Sequence, residues 1–326
     1  MVELSVSAES WPIRGSFTIS RGAKTSAETV RVELHDGGFK GAGECVPYAR
    51  YGESRDSVIG QVESLRCDIQ QGLDRVRLQQ TLPPGAARNA LDCALWDLQA
   101  KMSQHRVWEL LALPAMRPLT TAFTLSLDSP GNMHRAALEN ADRPLLKLKL
   151  AGEGDIERVR AVRQGAPNAR LIVDANEGWD VGSYRAMVPE LIQLGVEMIE
   201  QPLPAADDEA LRSLDRPIPI CADESCHGTE SLKHIVDRYD MVNIKLDKAG
   251  GLTEALQLRK AAEAEGLQIM VGSMLATSLA MAPAMLLAQG AAIVDLDGPL
   301  LLESDRRPGL RFERSLVFPP PPELWG

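Results

Sequence analysis

The sequence predicts an α/β protein: a (β/α) TIM-type barrel preceded by an N-terminal α+β region. Three observations carry that prediction. From residue 119 onward, strand-like and helix-like stretches alternate eight times, at steps of roughly 22 to 30 residues, the repeat of a (β/α) unit. Many of these strands end in an ionisable residue, which suits a closed ring with one mouth better than an open doubly wound sheet. Before residue 119 the pattern differs, with alternating strands around a hairpin turn and then a helical period. The predicted division is 1–118 for the N-terminal domain, 119–310 for the barrel and 311–326 for a C-terminal segment.

In the N-terminal domain, Val2–Ser7 and Thr29–Leu34 alternate as strands do, Asp36-Gly37-Gly38 is a hairpin turn signal, and Gly41–Cys45 begins the return strand. Gly38, Gly41 and Gly43 resemble a phosphate loop, but they follow a hairpin and no helix starts at the right place. Two stretches read as long loops with cationic residues, Ile19–Thr25 and Val46–Gly52, the composition of a cover over an anionic ligand. From Ser57 to Leu111 the period is helical, with Ala86–Met102 a packed amphipathic helix. Pro114 and Pro118 mark the boundary.

The barrel strands are predicted at Thr121–Leu127, Leu145–Leu150, Arg170–Asp174, Met198–Glu200, Ile218–Asp223, Met241–Lys245, Gln268–Gly272 and Ile293–Asp297. The intervening helices are predicted at Met133–Asn140, Asp155–Gln164, Ser183–Leu194, Asp208–Ser213, Ser231–Val236, Thr253–Ala264 and Ser278–Leu287. Met274–Val294 is the most apolar long stretch; Pro283 and Gly290 interrupt it, so it reads as buried helix and strand and no membrane span is expected.

The chain's 44% hydrophobic and 25% charged residues are enough for a full core in 326 residues. A formal net charge of -10, without a basic stripe, argues against a nucleic-acid partner. Five scattered cysteines, and a start without the secretory pattern, point to a reduced, cytoplasmic compartment.

Site chemistry is concentrated at the strand ends. In LLKLKL (145–150), Lys147 and Lys149 are two apart, so both project to one face of a strand flanked by leucines. Asp174, Glu200 and Asp223 end three consecutive strands. One such acid alone would most simply cap a helix or pair with a lysine, but three brought together repel, and a divalent cation relieves that repulsion. An all-oxygen set with no His or Cys favours Mg²⁺ or Mn²⁺ over Zn²⁺. The second and sixth strands are four apart in a ring of eight, so Lys149 and Lys245 face each other across the mouth. Asp295 and Asp297, on the eighth strand, lie opposite the metal and make a site for a cationic group. The ligand implied has a carboxylate at the metal, a carbon between two lysines and an ammonium at the far end. Removing a proton α to a carboxylate needs a metal to stabilise the enediolate, and nearby positive charge should lower a lysine pKa enough for it to act as base. Lysines on opposite faces permit a 1,1-proton transfer that inverts the stereocentre. Lys248 competes with Lys245, but on a continuing strand its odd spacing points it outward. Cys226-His227 is not expected to form a catalytic pair.

Together these residues resemble the enolase superfamily, and within it the L-Ala-D/L-Glu (dipeptide) epimerases. Lysine bases working with Mg²⁺ are that superfamily's established pattern. The resemblance spans nearly the whole chain: LLKLKL (145–150), VDAN (173–176), EQPLP (200–204), CADESCH (221–227), NIKLDKAGGLTEA (243–255), GSMLATS (272–278) and DLDGP (295–299), with GECVPYARYGES (43–54) and GAARNALDCALWDL (85–98) in the N-terminal domain. It implies a modified, enolase-like barrel whose N-terminal domain caps the mouth, with residues 311–326 returning to that cap. It implies Asp174, Glu200 and Asp223 as ligands of one Mg²⁺ per subunit, replaceable by Mn²⁺. Lys149 and Lys245 would be the acid/base catalysts, and Lys147 an electrostatic partner of the substrate carboxylate. Asp295 and Asp297 would hold a dipeptide's α-ammonium, and Ser273 would contact substrate. Where acidic-dipeptide members carry an arginine in the first loop, this chain has Lys24, with Arg21 nearby; lysine keeps the charge without the bidentate fork. Glutamate specificity would make the role recycling of murein peptides.

Three rival readings stand beside this one. A cycloisomerase or o-succinylbenzoate synthase uses the same metal and lysines, but Asp295 and Asp297 would then face a group with no positive charge. A barrel metallohydrolase would be expected to use histidine ligands, and none of the five histidines ends a barrel strand. A non-catalytic carboxylate-binding protein has no need for both lysines. The sequence leaves a homo-oligomer open.

Overall fold

The computed structural model describes residues 1–326. Its first layer is a three-stranded antiparallel sheet, Glu3–Ile19, Gly22–Asp36 and Phe39–Cys45, paired in chain order. The first two strands are much longer than the alternation predicted. Ile19–Thr25, expected as a long loop, is the tip of their hairpin: Ile19 pairs with Gly22 and Phe17 with Lys24. In Glu3–Ile19 only Leu4 and Ile13 are buried, so the strand has no apolar face to read, and a register shift between Pro12 and Phe17 disrupts its period further.

The second strand carries the cap's own core. Val30, Val32 and Leu34 are fully buried against Val58 and Val62 of helix Arg55–Ser64 and against Leu91 and Leu98 of the cap helix, Ala86–Ser103. The third strand crosses the cap helix so closely that a Cβ at Gly41 would lie 2.3 Å from the Ala94 carbonyl, and one at Gly43 would lie 2.1 Å from the Ala90 carbonyl. That contact accounts for two of the three glycines that looked like a phosphate loop; Gly38 belongs to the hairpin turn, with φ +86°. The cap helix begins after Gly85 with no side-chain cap of its own; Ala86 N–H donates instead to Glu53 Oε1 at 2.7 Å, which also sets a negative charge at the helix N-terminus.

The barrel follows as a parallel eight-stranded sheet in chain order: Phe123–Leu125, Leu145–Lys149, Arg170–Asp174, Val196–Glu200, Ile220–Ala222, Met241–Ile244, Gln268–Gly272 and Ile293–Asp295. Ala122 N–H donates to the Val294 carbonyl at 2.8 Å and brings the first strand against the eighth. Two expected helices are reduced. Asp208–Ser213 is a single 3₁₀ turn, Glu209–Arg212, in a span bounded by Pro204 and Pro217. Ser231–Val236 is a 3₁₀ turn, Thr229–Ser231, followed by one helical turn, Leu232–Ile235. The apolar stretch 274–294 holds the buried helix Ser278–Leu287 and the start of the eighth strand. No helix is long and apolar enough to cross a membrane.

The last residues cross back over both layers. Phe312–Glu313 and Leu316–Val317 form a small sheet with Leu119–Thr120. Trp325 is fully buried, and its indole N–H donates to the Cys93 carbonyl of the cap helix at 3.0 Å. Gly326 N–H donates to Asp97 Oδ1 at 2.7 Å.

Candidate active site

The parallel register sets the site. Lys149 pairs in the ladder with Asp174, and Asp174 with Glu200, so residues from three strands stand level at the mouth. Asp174, Glu200 and Asp223 are all buried, with one oxygen of each within 4.8 Å of the others. Lys147 Nζ lies 2.6 Å from Glu200 Oε2, 2.7 Å from Asp295 Oδ2 and 3.2 Å from Asp174 Oδ2. Lys149 Nζ donates to Asp174 Oδ2 at 2.5 Å, and Lys245 Nζ to Asp223 Oδ2 at 2.7 Å. Asn243, two residues before Lys245 and on the same strand face, donates to Glu200 Oε1 at 2.7 Å. Asp297 Oδ2 accepts from the Thr124 N–H at 2.6 Å.

The electrostatics follow from these neighbours. Burial alone would raise Asp174, but Lys149 and Lys147 outweigh it and hold the carboxyl at about 2. Burial, with Asp174 alongside, pushes Glu200 up to about 7. Burial and the adjacent Asp295 push Asp297 up to about 7. Lys147 and Lys245 differ from the sequence expectation. Burial favours their neutral form, but Asp295, Glu200 and Asp174 hold Lys147 well above its ordinary range, and Asp223 with Glu200 does the same for Lys245. The carboxylates reach these ammoniums directly, and that attraction exceeds both burial and lysine–lysine repulsion.

The donor set fits a hard divalent cation: three buried carboxylates with no sulfur or imidazole among them. Glu200 Oε2, although near Lys147, has no partner in hydrogen-bonding geometry and stays available as a ligand atom.

Lys248 is a second difference. The strand ends at Ile244 and the chain turns helical over Leu246–Ala249, so the odd spacing no longer points the side chain outward. Lys248 is fully buried, with Nζ 2.6 Å from Asp223 Oδ1, and donates also to the Asp223 carbonyl.

A cavity of about 890 Å³ opens above these groups, lined by the hairpin tip, by Val46–Tyr51, and by Lys149, Asn176, Asp223, Glu224, Lys245 and Ser273. A small recess sharing Lys149, Lys245 and Ser273 continues down to Lys147, Asp295 and Asp297. Lys24 lines the larger cavity from a strand rather than a loop; its ammonium forms no ion pair and lies 5.2 Å from the centre of the Tyr48 ring.

Arg21, expected to bind substrate, lines the same cavity, and its guanidinium also bonds to the barrel. It donates to the Asn176 carbonyl at 2.9 Å, Glu177 at 3.1 Å and Glu224 at 2.7 Å. Arg50 pairs with the same Glu177. These arginines tie the cap to the barrel rim, a role with no periodic signal in the sequence. Another cavity, of about 840 Å³, lies between the cap sheet and the returning tail. Among its charges Lys101 pairs with Asp97 and Arg306 with Glu9 and Glu44, and no barrel strand-end residue lines it.

Two family models cover almost all of this architecture. Residues 1–112 match the mandelate racemase / muconate lactonizing enzyme N-terminal domain, and residues 132–321 match the enolase C-terminal domain-like family. The chain belongs to the enolase superfamily. It is similar to the L-Ala-D/L-Glu epimerase of Escherichia coli, 48% identical over 96% of this chain and 98% of that one. It is also similar to an N-acetyl-D-glutamate racemase of Pseudoalteromonas, 46% identical over 90% of this chain and 94% of the relative. A crystal structure of an enolase family member from Agrobacterium tumefaciens, described as homologous to dipeptide epimerases and holding sodium and L-Ala-L-Glu, is 53% identical and superposes over the full length of both chains with a TM-score of 0.98. A dipeptide epimerase from Enterococcus faecalis, solved with Mg and L-Leu-L-Tyr, is 28% identical, with a TM-score of 0.89 over 98% of this chain and 96% of that one. The chain is an isomerase of the racemase and epimerase kind.

Proposed function

We propose that this protein is a Mg²⁺-dependent dipeptide epimerase that inverts the α-carbon of the C-terminal residue, with L-Ala-D/L-Glu as its preferred substrate. The observation that carries the reading is the pairing of each of two lysines with a different carboxylate of one buried triad: Lys149 with Asp174 and Lys245 with Asp223. In this reading Asp174, Glu200 and Asp223 hold one Mg²⁺, for which Mn²⁺ substitutes. When bound, the cation supplies positive charge at the substrate carboxylate and offsets the carboxylates that keep Lys147 and Lys245 above their ordinary range.

The chain's own groups do the rest. One of Lys149 and Lys245 takes the α-proton from one face, and the other returns a proton to the opposite face, so one C–H bond breaks and one forms. Lys147 steadies the substrate carboxylate, while Asp295 and Asp297 receive the dipeptide's ammonium and Ser273 lines the passage between them. Lys24 is the cation left over for an acidic substrate side chain, since Arg21 is already paired with Glu224. With glutamate as that residue, the enzyme serves murein peptide recycling.

A second reading has one specific support, the N-acetyl-D-glutamate racemase among the relatives. An N-acetyl amino acid offers no ammonium to Asp295, whose Oδ2 is already held by Lys147.

Proton NMR in D₂O with Mg²⁺ separates the two. The panel is L-Ala-L-Glu, L-Ala-L-Leu, L-Ala-L-Lys and N-acetyl-L-glutamate. Loss of the C-terminal α-proton signal, fastest for L-Ala-L-Glu and with the diastereomer appearing, is the expected result. Faster exchange of N-acetyl-L-glutamate would replace the dipeptide reading, and no exchange in any substrate would overturn both.

A further inference from the structure

The two lysines are anchored differently. The segment after Lys149 is fixed by the barrel itself: Asp155 accepts from Ala151 and Gly152 N–H groups, at 3.1 and 2.7 Å, and from the Trp179 indole. The segment after Lys245 is fixed by the cap. The Lys245 carbonyl accepts the first bonds of the turn, from Lys248 and Ala249, and the cap helix grips that turn along its length. Asn89 Nδ2 donates to Asp247 Oδ1 at 2.9 Å. Arg88 donates to the Ala249 and Gly250 carbonyls at 2.7 and 3.1 Å. Asp92 accepts from Thr253 N–H at 2.9 Å and from its hydroxyl at 2.6 Å. The approach is close enough to require bare backbone: a Cβ at Gly250 would lie 2.4 Å from Arg88 Nε. Asp247 Oδ1 also accepts from Val46 N–H at 3.0 Å, and Val46 opens the cap segment that lines the mouth cavity.

We infer that Asn89 and Asp247 are positioning residues for Lys245 and not for Lys149, so that the cap helix sets one of the two proton-transferring groups while the barrel sets the other. Neither residue reaches the carboxylates or lines the cavity. Both act through the backbone of the 245–249 turn. One oxygen of Asp247 therefore joins the substrate-facing cap segment to the turn that carries a base. This inference rests on the epimerase reading, because it needs two bases working on opposite faces.

The test measures initial α-proton exchange in D₂O separately for L-Ala-L-Glu and L-Ala-D-Glu, with Mg²⁺-saturated protein. Exchange from each diastereomer begins with the lysine that faces its proton. In Asn89→Ala and Asp247→Ala, exchange from one diastereomer should fall about tenfold or more, while the other stays within about threefold of wild type; sub-ångström misplacement of a base is costly, but only on its own face. Asp247→Asn keeps an acceptor oxygen and should restore most of the lost rate. A variant that merely loosens the fold slows both diastereomers together, and that result, or no loss from either, overturns the inference. If the wild-type protein exchanges neither dipeptide, the epimerase reading fails first and this one with it.

Discussion

The floor and the mouth of the barrel are built from the same eight strands, two residues apart. The floor is a closed apolar cluster of Ala122, Leu145, Ile172, Met198, Cys221, Met241, Met270 and Ile293. Two residues further along each strand stand Thr124, Lys147, Asp174, Glu200, Asp223, Asn243, Gly272 and Asp295. A step of about 6.6 Å along each strand therefore takes the interior from fully apolar to mostly ionisable. Both layers are buried. What differs is the way each is stabilised: the floor by contact area, the mouth by pairing charges that would be very costly alone. Stability and chemistry are thus separated by height in one ring, and substitutions should sort accordingly.

The largest effect should come from the mouth. Lys149→Ala is expected to lower kcat by about 10²- to 10⁴-fold; because Asp174 keeps Lys147 Nζ at 3.2 Å, the unfolding midpoint should fall less than in a floor variant, and a comparable drop would erase the distinction. Ile172→Ala, one step below Asp174, should cost about 2–5 kcal/mol in urea denaturation, because a fully buried side chain leaves a cavity. Its kcat/KM should stay within a few-fold of wild type. Mg²⁺ sharpens the contrast. At a hundredfold excess over its Kd the ion should stabilise the fold by about 2.7 kcal/mol, an effect that EDTA reverses. Ile172→Ala should keep that increment and Asp174→Asn should lose it. Equal increments in the two variants would place the ion elsewhere.

A further prediction concerns a buried acid outside the mouth. Asp247 has no ammonium partner, and burial pushes it up to about 7, with Val46 and Asn89 only partly offsetting that. The folded state then holds a proton that the unfolded state releases near 3.8, so Asp247 makes stability fall as pH rises from about 4 to about 7. Asp247→Asn removes this dependence. The difference between variant and wild type should therefore shift in favour of the variant between pH 5 and pH 8. The same difference at both pH values would show that Asp247 does not titrate in that window.

The two-layer plan was legible because strand alternation is rigid. Once Leu145–Leu150 was read as a strand, Lys147 and Lys149 had to share a face, and the acids at 174, 200 and 223 fell at the same height. What stayed hidden was geometry that departs from alternation. The hairpin through Ile19 and Gly22 is half in solvent, so no apolar period marks it. Lys248 was misread because the strand ends one residue before Lys245, and beyond that point helical spacing applies. Arg21 and Glu224 are 203 residues apart, and nothing local in either segment announces their contact. Asn243 could have been found, since it precedes Lys245 by one strand period.

The return of the tail to the cap has a consequence for biosynthesis. Trp325 leaves the ribosome 232 residues after Cys93, whose carbonyl it engages, and Gly326 follows to reach Asp97. The cap helix therefore spends the whole translation of the barrel with one flank unfinished, exposed to chaperones and to misdocking. Only the final residues close that flank, so a nascent chain stalled within the barrel carries a cap that cannot yet be complete.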